Sequence, residues 1–295
     1  MEIITLKNSE IEVKVSTFGA ELHSIVKNGV EHLWHGDPKF WNRHSPVLFP
    51  TVGRVWQNEY RYNGATYKLG QHGFARDNEF VVESLSADEV EFSLKSNDAT
   101  RAVYPFDFVL KIGYKLSGST VAVTWKVENS GEGWLPFQIG AHPAFMFADF
   151  DVADDLRGYV SFGDAKDIKY ITPTEGGCVS PDLYDLELDS EGMMEIRAPH
   201  AFDCDTFVME NGQIDTCTLH DKNRKPYITV KFDMPLVALW APMKAHEDVP
   251  FLCIEPWCGR CDYVGYQGDF GSRPYNQLLR KGENWETTYT ITLHR

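Results

Sequence analysis

Apolar and polar residues alternate with a period of two in several stretches of this 295-residue chain. Apolar or β-branched side chains recur at every second position in 11–15, 90–94, 121–127 and 285–291. Such alternation is typical of strands with one buried face, whereas the 3.6-residue period of helices is scarce here. The chain lacks the strand–helix alternation of a nucleotide-binding α/β fold. The pattern therefore predicts an all-β, antiparallel protein.

Turn signals divide these strands. Asn28-Gly29 and Asn63-Gly64 have the composition of tight hairpin turns, and strand-like triplets at 60–62 and 65–67 flank the second. One short turn of helix is predicted at 37–41. Because no repeat or low-complexity linker interrupts the chain, we expect residues 1–295 to form a single domain, a large β-sandwich.

The composition of the chain argues against some classes of function. The net charge of −15 argues against binding to nucleic acids or anionic membranes, which need basic patches. Aromatic residues are abundant, with 18 Phe, 13 Tyr and 8 Trp, which suits strands and also platforms that stack on sugars. The chain begins without a signal-peptide pattern and has no apolar run of about 20 residues. A soluble, cytoplasmic protein is expected.

The cysteines have one suggestive spacing. Cys253, Cys258 and Cys261 match part of a plant-type iron–sulfur pattern, but no fourth cysteine follows Cys261. The pair Cys258 and Cys261 also has the spacing of a redox motif, without the βαβ setting in which such motifs occur. We expect all six cysteines to be reduced thiols of a cytosolic protein.

The strongest chemical signal is a carboxylate inside an apolar strand. Glu255 lies in the run 251–259, and burial of an unpaired carboxylate costs several kcal/mol. His142 lies in a second apolar run, 136–145, directly before a proline. Each residue alone is equally compatible with a structural role. Together they form a candidate acid–base couple, because a carboxylate accepts a proton and an imidazolium gives one.

Four further residues are candidate substrate contacts. Arg54 ends an apolar run, His72 stands beside a glycine, and Arg76 follows four residues later. Asp205 is a weaker candidate because Asp203 competes with it. Taken singly, residues of these types are more often surface or turn residues than ligand contacts.

Five short motifs occur together along the chain. They are Pro-Val-Leu-Phe-Pro at 46–50, His-Gly-Phe-Ala-Arg at 72–76, Tyr-Pro-Phe-Asp-Phe at 104–108, Gly-Ala-His-Pro-Ala-Phe at 140–145 and Cys-Ile-Glu-Pro-Trp at 253–257. In this order they resemble the aldose 1-epimerase (galactose mutarotase-like) superfamily, and most of all its mutarotase-related branch of uncertain substrate. The resemblance implies an antiparallel β-supersandwich, no metal and no organic cofactor.

The resemblance also implies roles for the candidate residues. Glu255 corresponds to the general base of the family and His142 to its general acid. His72 and Arg54 correspond to residues that contact the sugar, and Asp205 to an aspartate that binds sugar hydroxyls. The expected partner is a small-molecule sugar, and the expected assembly is a monomer or weak dimer.

Three alternatives stay open on sequence grounds. No second arginine follows Arg54 closely, unlike in true galactose mutarotases, and the motif that ends in Arg76 resembles the hexose-6-phosphate epimerase branch. A phosphorylated hexose is therefore an alternative substrate. A non-catalytic sugar-binding protein on the same fold is the second alternative. The third is a glycosidase or lyase, in which Asp205 and Glu255 would flank a glycosidic bond and His142 would have no role.

Overall fold

The computed structural model of the protein describes residues 1–198, 200–204 and 206–294. Within these residues the chain forms 24 strands, which we number in chain order. The first twelve are β1 (Ile3–Lys7), β2 (Ile11–Ser16), β3 (Leu22–Lys27), β4 (Val30–Glu31), β5 (Glu59–Tyr62), β6 (Ala65–Lys68), β7 (Val81–Leu85), β8 (Glu89–Lys95), β9 (Phe108–Ser117), β10 (Thr120–Asn129), β11 (Leu135–Phe137) and β12 (Ile139–Gly140). The others are β13 (Ala144–Met146), β14 (Leu156–Ser161), β15 (Lys169–Tyr170), β16 (Tyr184–Asp185), β17 (Met193–Arg197), β18 (Thr206–Met209), β19 (Thr216–His220), β20 (Pro226–Lys231), β21 (Leu236–Trp240), β22 (Phe251–Cys258), β23 (Gln277–Leu279) and β24 (Asn284–Leu293).

Helical structure is limited to short segments. One α-helix, α1 (Asp98–Val103), is capped at its N-terminus by Asn97, whose side chain accepts a hydrogen bond from the Thr100 N–H. The 3₁₀ segments are Trp56–Asn58, Ala75–Asp77, Glu175–Gly177, His200–Phe202, Pro242–Lys244 and Phe270–Ser272. In the part of the chain that the structure describes, no helix is long and apolar enough to cross a membrane.

The strands predicted from alternation are present. They are β2, β8, β10 and β24, and the last three belong to a nine-stranded antiparallel sheet of order β17-β14-β19-β20-β24-β10-β9-β8-β7. In β9 and β10 buried residues alternate with more exposed ones along most of each strand. The buried side chains pack against the chain segment that carries the first sequence motif; the rings of Phe108 and Phe49 have centroids 5.1 Å apart. The all-β prediction is confirmed.

The turns occur where the sequence predicts them. Asn28-Gly29 joins β3 to β4 and Asn63-Gly64 joins β5 to β6, with positive φ at all four residues, as a type I′ turn requires. At 37–41 the N–H groups of Phe40 and Trp41 both donate to the Asp37 carbonyl oxygen. They close a single turn, after which the chain continues without helix.

A second sheet carries the candidate acid–base couple. Its order is β12-β22-β21-β18, and β13 also pairs with β22, so β12 and β13 share one edge of β22. All eight residues of β22 are buried. Since both faces of this strand are covered, the apolar run around Glu255 is explained by its central position in the sheet.

Prolines split the edge shared by β12 and β13. The Ala141 N–H donates to the Pro256 carbonyl (3.0 Å), and the Ile254 N–H donates to the Pro143 carbonyl (3.3 Å). The reciprocal bond is missing from each pair because proline has no N–H. A short irregular segment centred on His142 therefore interrupts the strand.

Candidate active site

His142 lies directly opposite Glu255. Gly140 faces Trp257 and Ala144 faces Cys253, and this shared register places residue 142 across from residue 255. Opposed residues of an antiparallel pair project from the same face. His142 Nε2 is accordingly 3.4 Å from Glu255 Oε2, and both residues are buried. The structure thus brings together the two residues that the sequence singles out.

Both side chains line a cavity of about 440 Å³. Pockets of roughly 300–1,000 Å³ are typical of small-molecule sites. The cavity is lined by Trp41, Arg43, Gly53, Gln71, His72, Arg76, His142, Pro173, Gly177, Thr206, Val208, Trp240, Glu255, Trp257 and Cys261. Two predicted contacts, His72 and Arg76, are among them. The wall combines aromatic rings with cationic and hydrogen-bonding groups.

Aromatic rings enclose the imidazole of His142. Trp41 stacks on it with ring centroids 4.8 Å apart, and Trp240 meets it edge-on at 5.4 Å. Burial, and next the positive charge of Arg76, lower the pKa of His142 to about 3. The imidazole is therefore neutral at neutral pH and carries a single N–H.

His72 is held by its own tight turn. Its φ is +65°, the Gly53 N–H donates to its Nδ1 at 3.1 Å, and its Nε2 lies 3.1 Å from the side-chain nitrogen of Gln71. Burial, followed by the neighbouring His142, lowers the pKa of His72 well below its usual value. The next residue, Gly73, also has positive φ, and a Cβ there would lie 2.2 Å from the Phe49 carbonyl oxygen. This close approach explains why a glycine follows the histidine.

Two arginines form the cationic side of the cavity. Arg43 donates to Asp77 at 2.8 Å, while Arg76 donates to the Gln71 carbonyl and lies 3.8 Å from the same Asp77. Burial, and then the charge of Arg43, lower the pKa of Arg76 to about 10. Both guanidinium groups thus share one half-exposed carboxylate.

The deeper arginines are paired differently. Arg260 donates to Glu210 at 2.5 Å and Arg273 to Asp262 at 2.6 Å, and each of these buried pairs has its own carboxylate. The positive charge that faces the cavity therefore comes from Arg43 and Arg76.

The remaining predicted contacts have different outcomes. Arg54 does not line this cavity; it lines a neighbouring groove with Gln71, and its side chain packs beside Gly177 at the cavity edge. Asp205 lies outside the described residues. Trp257 lines the cavity, and its indole N–H donates to the Ala141 carbonyl.

Sequence reasoning missed Trp41, Arg43 and Trp240. Trp41 ends the turn at 37–41 and Arg43 lies on the loop that follows it, where no periodicity marks either residue as functional. Glu21 fixes this loop, because its buried carboxylate accepts the N–H groups of His44 (2.8 Å) and Ser45 (2.9 Å). Since that contact joins distant segments, no local signal was available to reveal it.

Comparison with known proteins identifies the family. The family model described as aldose 1-epimerase matches residues 2–292. This chain belongs to the aldose 1-epimerase family. The chromosomal protein LacX of Lactococcus lactis subsp. lactis is a relative, 31% identical over 302 residues that cover 98% of this chain and 99% of LacX.

Solved structures in the aldose 1-epimerase family show the same fold. A galactose mutarotase-like protein from Lactobacillus casei ATCC 334 superposes with a TM-score of 0.92 at 30% identity, covering 99% of this chain and 100% of that one. A galactose mutarotase related enzyme from Lactobacillus acidophilus gives a TM-score of 0.91 at 29% identity, covering 100% of this chain and 98% of that one. The predicted β-supersandwich fold is confirmed.

Proposed function

We propose that the protein is an aldose 1-epimerase that interconverts the α and β anomers of a hexose. The observation that carries this proposal is the opposed pair of Glu255 and His142, 3.4 Å apart at the wall of a cavity of about 440 Å³. A carboxylate and an imidazole at this separation act on the same small substrate as a general base and a general acid. Membership of the aldose 1-epimerase family supports the same class of reaction.

The reaction requires one proton to leave the sugar and one to arrive. Glu255 accepts the proton of the C1 hydroxyl while His142 gives a proton to the ring oxygen, and the bond between C1 and the ring oxygen breaks. The open aldehyde rotates about C1–C2, and the ring closes on the other face with the roles reversed. No covalent intermediate with the protein forms, and each group contributes about 10²–10⁴-fold to the rate.

Burial of His142 determines the protonation state in which it acts as the acid. Because the pKa of His142 is about 3, the group that approaches the ring oxygen is a neutral imidazole N–H rather than an imidazolium. Its proton transfers as the ring bond lengthens and negative charge develops on the oxygen. On ring closure Glu255 returns the proton it has taken to the C1 oxygen, and His142 recovers its own proton from the sugar hydroxyl that closes the ring.

The other cavity residues bind and orient the sugar in this proposal. His72 contributes an imidazole to the cavity wall, and Arg76 contributes a guanidinium group. Trp41 and Trp240 offer apolar ring faces, which suit the C–H surfaces of a sugar. Arg54 and Asp205 stay as predicted substrate contacts.

A hexose 6-phosphate is the second candidate substrate. The observation that favours it is the presence of Arg43 and Arg76 in the cavity wall with one shared carboxylate between them. Guanidinium groups bind phosphate bidentately, and a phosphate would offset the second positive charge. The protein's net charge of −15 gives no long-range attraction to an anion, so these local charges would have to supply it.

Polarimetry tests the proposal directly. Freshly dissolved α-glucose, α-galactose and their 6-phosphates are followed with and without protein, and we expect accelerated mutarotation of at least one. Sugar binding without any acceleration would instead identify a non-catalytic sugar-binding protein. Release of reducing sugar from a glycoside would identify a glycosidase.

A further inference from the structure

A fully buried thiol, Cys253, completes a cluster with two residues of the cavity wall, Glu255 and His142. Cys253 precedes Glu255 by two residues on β22, so both side chains project from the same face of the strand. The Cys253 Sγ, a His142 ring nitrogen and a Glu255 carboxylate oxygen all lie within 4.8 Å of one another. The acid–base mechanism has no use for the thiol.

We propose that His142, Cys253 and Glu255 bind a thiophilic divalent cation, Zn²⁺ or Cd²⁺, in competition with the sugar. The competition rests on the proposed function, whereas the binding of the ion does not. In this role the cation is an inhibitor and supplies no step of the reaction.

One ligand separation in the cluster matches zinc coordination. Nitrogen and oxygen ligands lie about 2.0–2.2 Å from zinc, so two ligands of a tetrahedral ion are about 3.4 Å apart. His142 Nε2 and Glu255 Oε2 have this separation, 3.4 Å. In the proposed complex Cys253, whose Sγ lies within 4.8 Å of both other ligand atoms, is the soft third ligand, and the ion enters from the cavity that His142 and Glu255 line.

Charge and protons balance in the complex. The neutral imidazole of His142 binds the ion without releasing a proton. The thiolate is the form of cysteine that binds a metal, so the ion displaces one proton from Cys253. Thiolate and carboxylate then neutralise the two charges of the ion, which offsets the repulsion from Arg76 across the cavity.

A second cluster of ligand types lacks suitable geometry. Glu21, His23 and His44 also lie within 4.8 Å of one another, but the two imidazole rings stack at 3.9 Å with only 10° between their planes. Imidazole nitrogens bind metals in the plane of the ring, so two stacked rings do not converge on one ion. This cluster therefore provides a control for nonspecific binding by histidine.

Cadmium titration tests the binding. The full-length protein is reduced with a phosphine, stripped of metal with a chelator and titrated with Cd²⁺, and the ultraviolet charge-transfer absorption of a cadmium–thiolate bond is recorded. We expect one equivalent to bind and Cys253→Ser to abolish the absorption. The matched variant Cys261→Ser, which changes another buried cysteine of the cavity wall, should retain it, as should His44→Asn.

Substitution of a metal ligand other than the thiol gives a second test. His142→Gln should keep the charge-transfer absorption and weaken Cd²⁺ binding at least tenfold. Zn²⁺ should raise the apparent KM for the sugar in the polarimetric assay of the wild-type protein. Absence of the absorption in the wild type, or its persistence in Cys253→Ser, overturns the proposal. If the wild type accelerates no mutarotation, the proposed function fails, and the titration still decides whether the ion binds.

Discussion

The indole of Trp41 lies against the imidazole of His142, with ring centroids 4.8 Å apart and 27° between the planes. The position of Trp41 is fixed in turn by Trp34, whose indole N–H donates to the Trp41 carbonyl at 2.8 Å. Trp41 therefore helps to exclude water from His142 and to set the orientation of its ring. It acts through His142 as a positioning residue, and it also lines the cavity.

Replacement of Trp41 should change the titration of His142. In Trp41→Ala the ring loses part of its cover, so the pKa of His142 should rise from about 3 towards the usual value near 6.5. NMR titration of the histidine resonances measures this shift, and polarimetry should show a lower kcat together with a higher KM. Trp134→Ala, at an exposed tryptophan, is the control. An unchanged His142 pKa in Trp41→Ala would contradict this role.

The proposed base is tested by an isosteric change. Glu255→Gln keeps the shape of the side chain and removes its ability to accept a proton, so the mutarotation rate should fall at least about 10²-fold. Sugar binding, measured by calorimetry, should persist because the cavity is unaltered. Mutarotation at the wild-type rate in this variant would rule out Glu255 as the base.

The two cavity arginines should control discrimination between free and phosphorylated sugars. The measured quantity is the ratio of kcat/KM for glucose 6-phosphate to that for glucose. Arg43→Ala and Arg76→Ala should each lower this ratio at least about tenfold, because a charged hydrogen bond contributes about 1.5–3 kcal/mol. Arg101→Ala, at an exposed arginine that pairs with Asp98 and Asp107, should leave the ratio within about threefold. Equal ratios in the wild type and the three variants would show that these residues do not recognise phosphate.

Acid should destabilise the fold through its buried neutral histidines. In the unfolded chain a histidine titrates near pH 6.5, whereas His142 does so near 3 and His72 well below its usual value. Between these pH values the unfolded state binds more protons, so the free energy of unfolding falls as the pH is lowered. The stabilisation that comes from keeping these histidines neutral is complete above pH 6.5. Between pH 7 and pH 5 each histidine lowers the free energy of unfolding by about 2 kcal/mol.

Urea unfolding at pH 7 and pH 5 measures this effect. His142→Gln and His72→Gln should each reduce the loss of stability between the two pH values, while His200→Gln, at a surface histidine, should not. A wild-type stability that is the same at pH 5 and pH 7 would contradict the burial of neutral imidazoles.

Much of the fold follows from local pattern. Alternation marked β2, β8, β10 and β24 because each has one buried face, and a period of two is visible whenever the faces differ. The two Asn-Gly turns were equally readable, since few residues other than asparagine and glycine adopt two successive positive φ angles. The single turn at 37–41 was likewise predicted from its own residues.

The sequence by itself singled out the two residues that lie at the centre of the candidate site. Glu255 was recognisable because a carboxylate within an apolar strand costs free energy unless it has a partner, and His142 because it stands in a similar run before a proline. Tertiary structure decided everything that depends on pairing. The register of β22 with β12 and β13 sets Glu255 opposite His142, and the loop fixed by Glu21 brings Trp41 and Arg43 to the cavity. A contact between two distant segments produces no periodic pattern in the sequence of either segment, so only the folded chain reveals it.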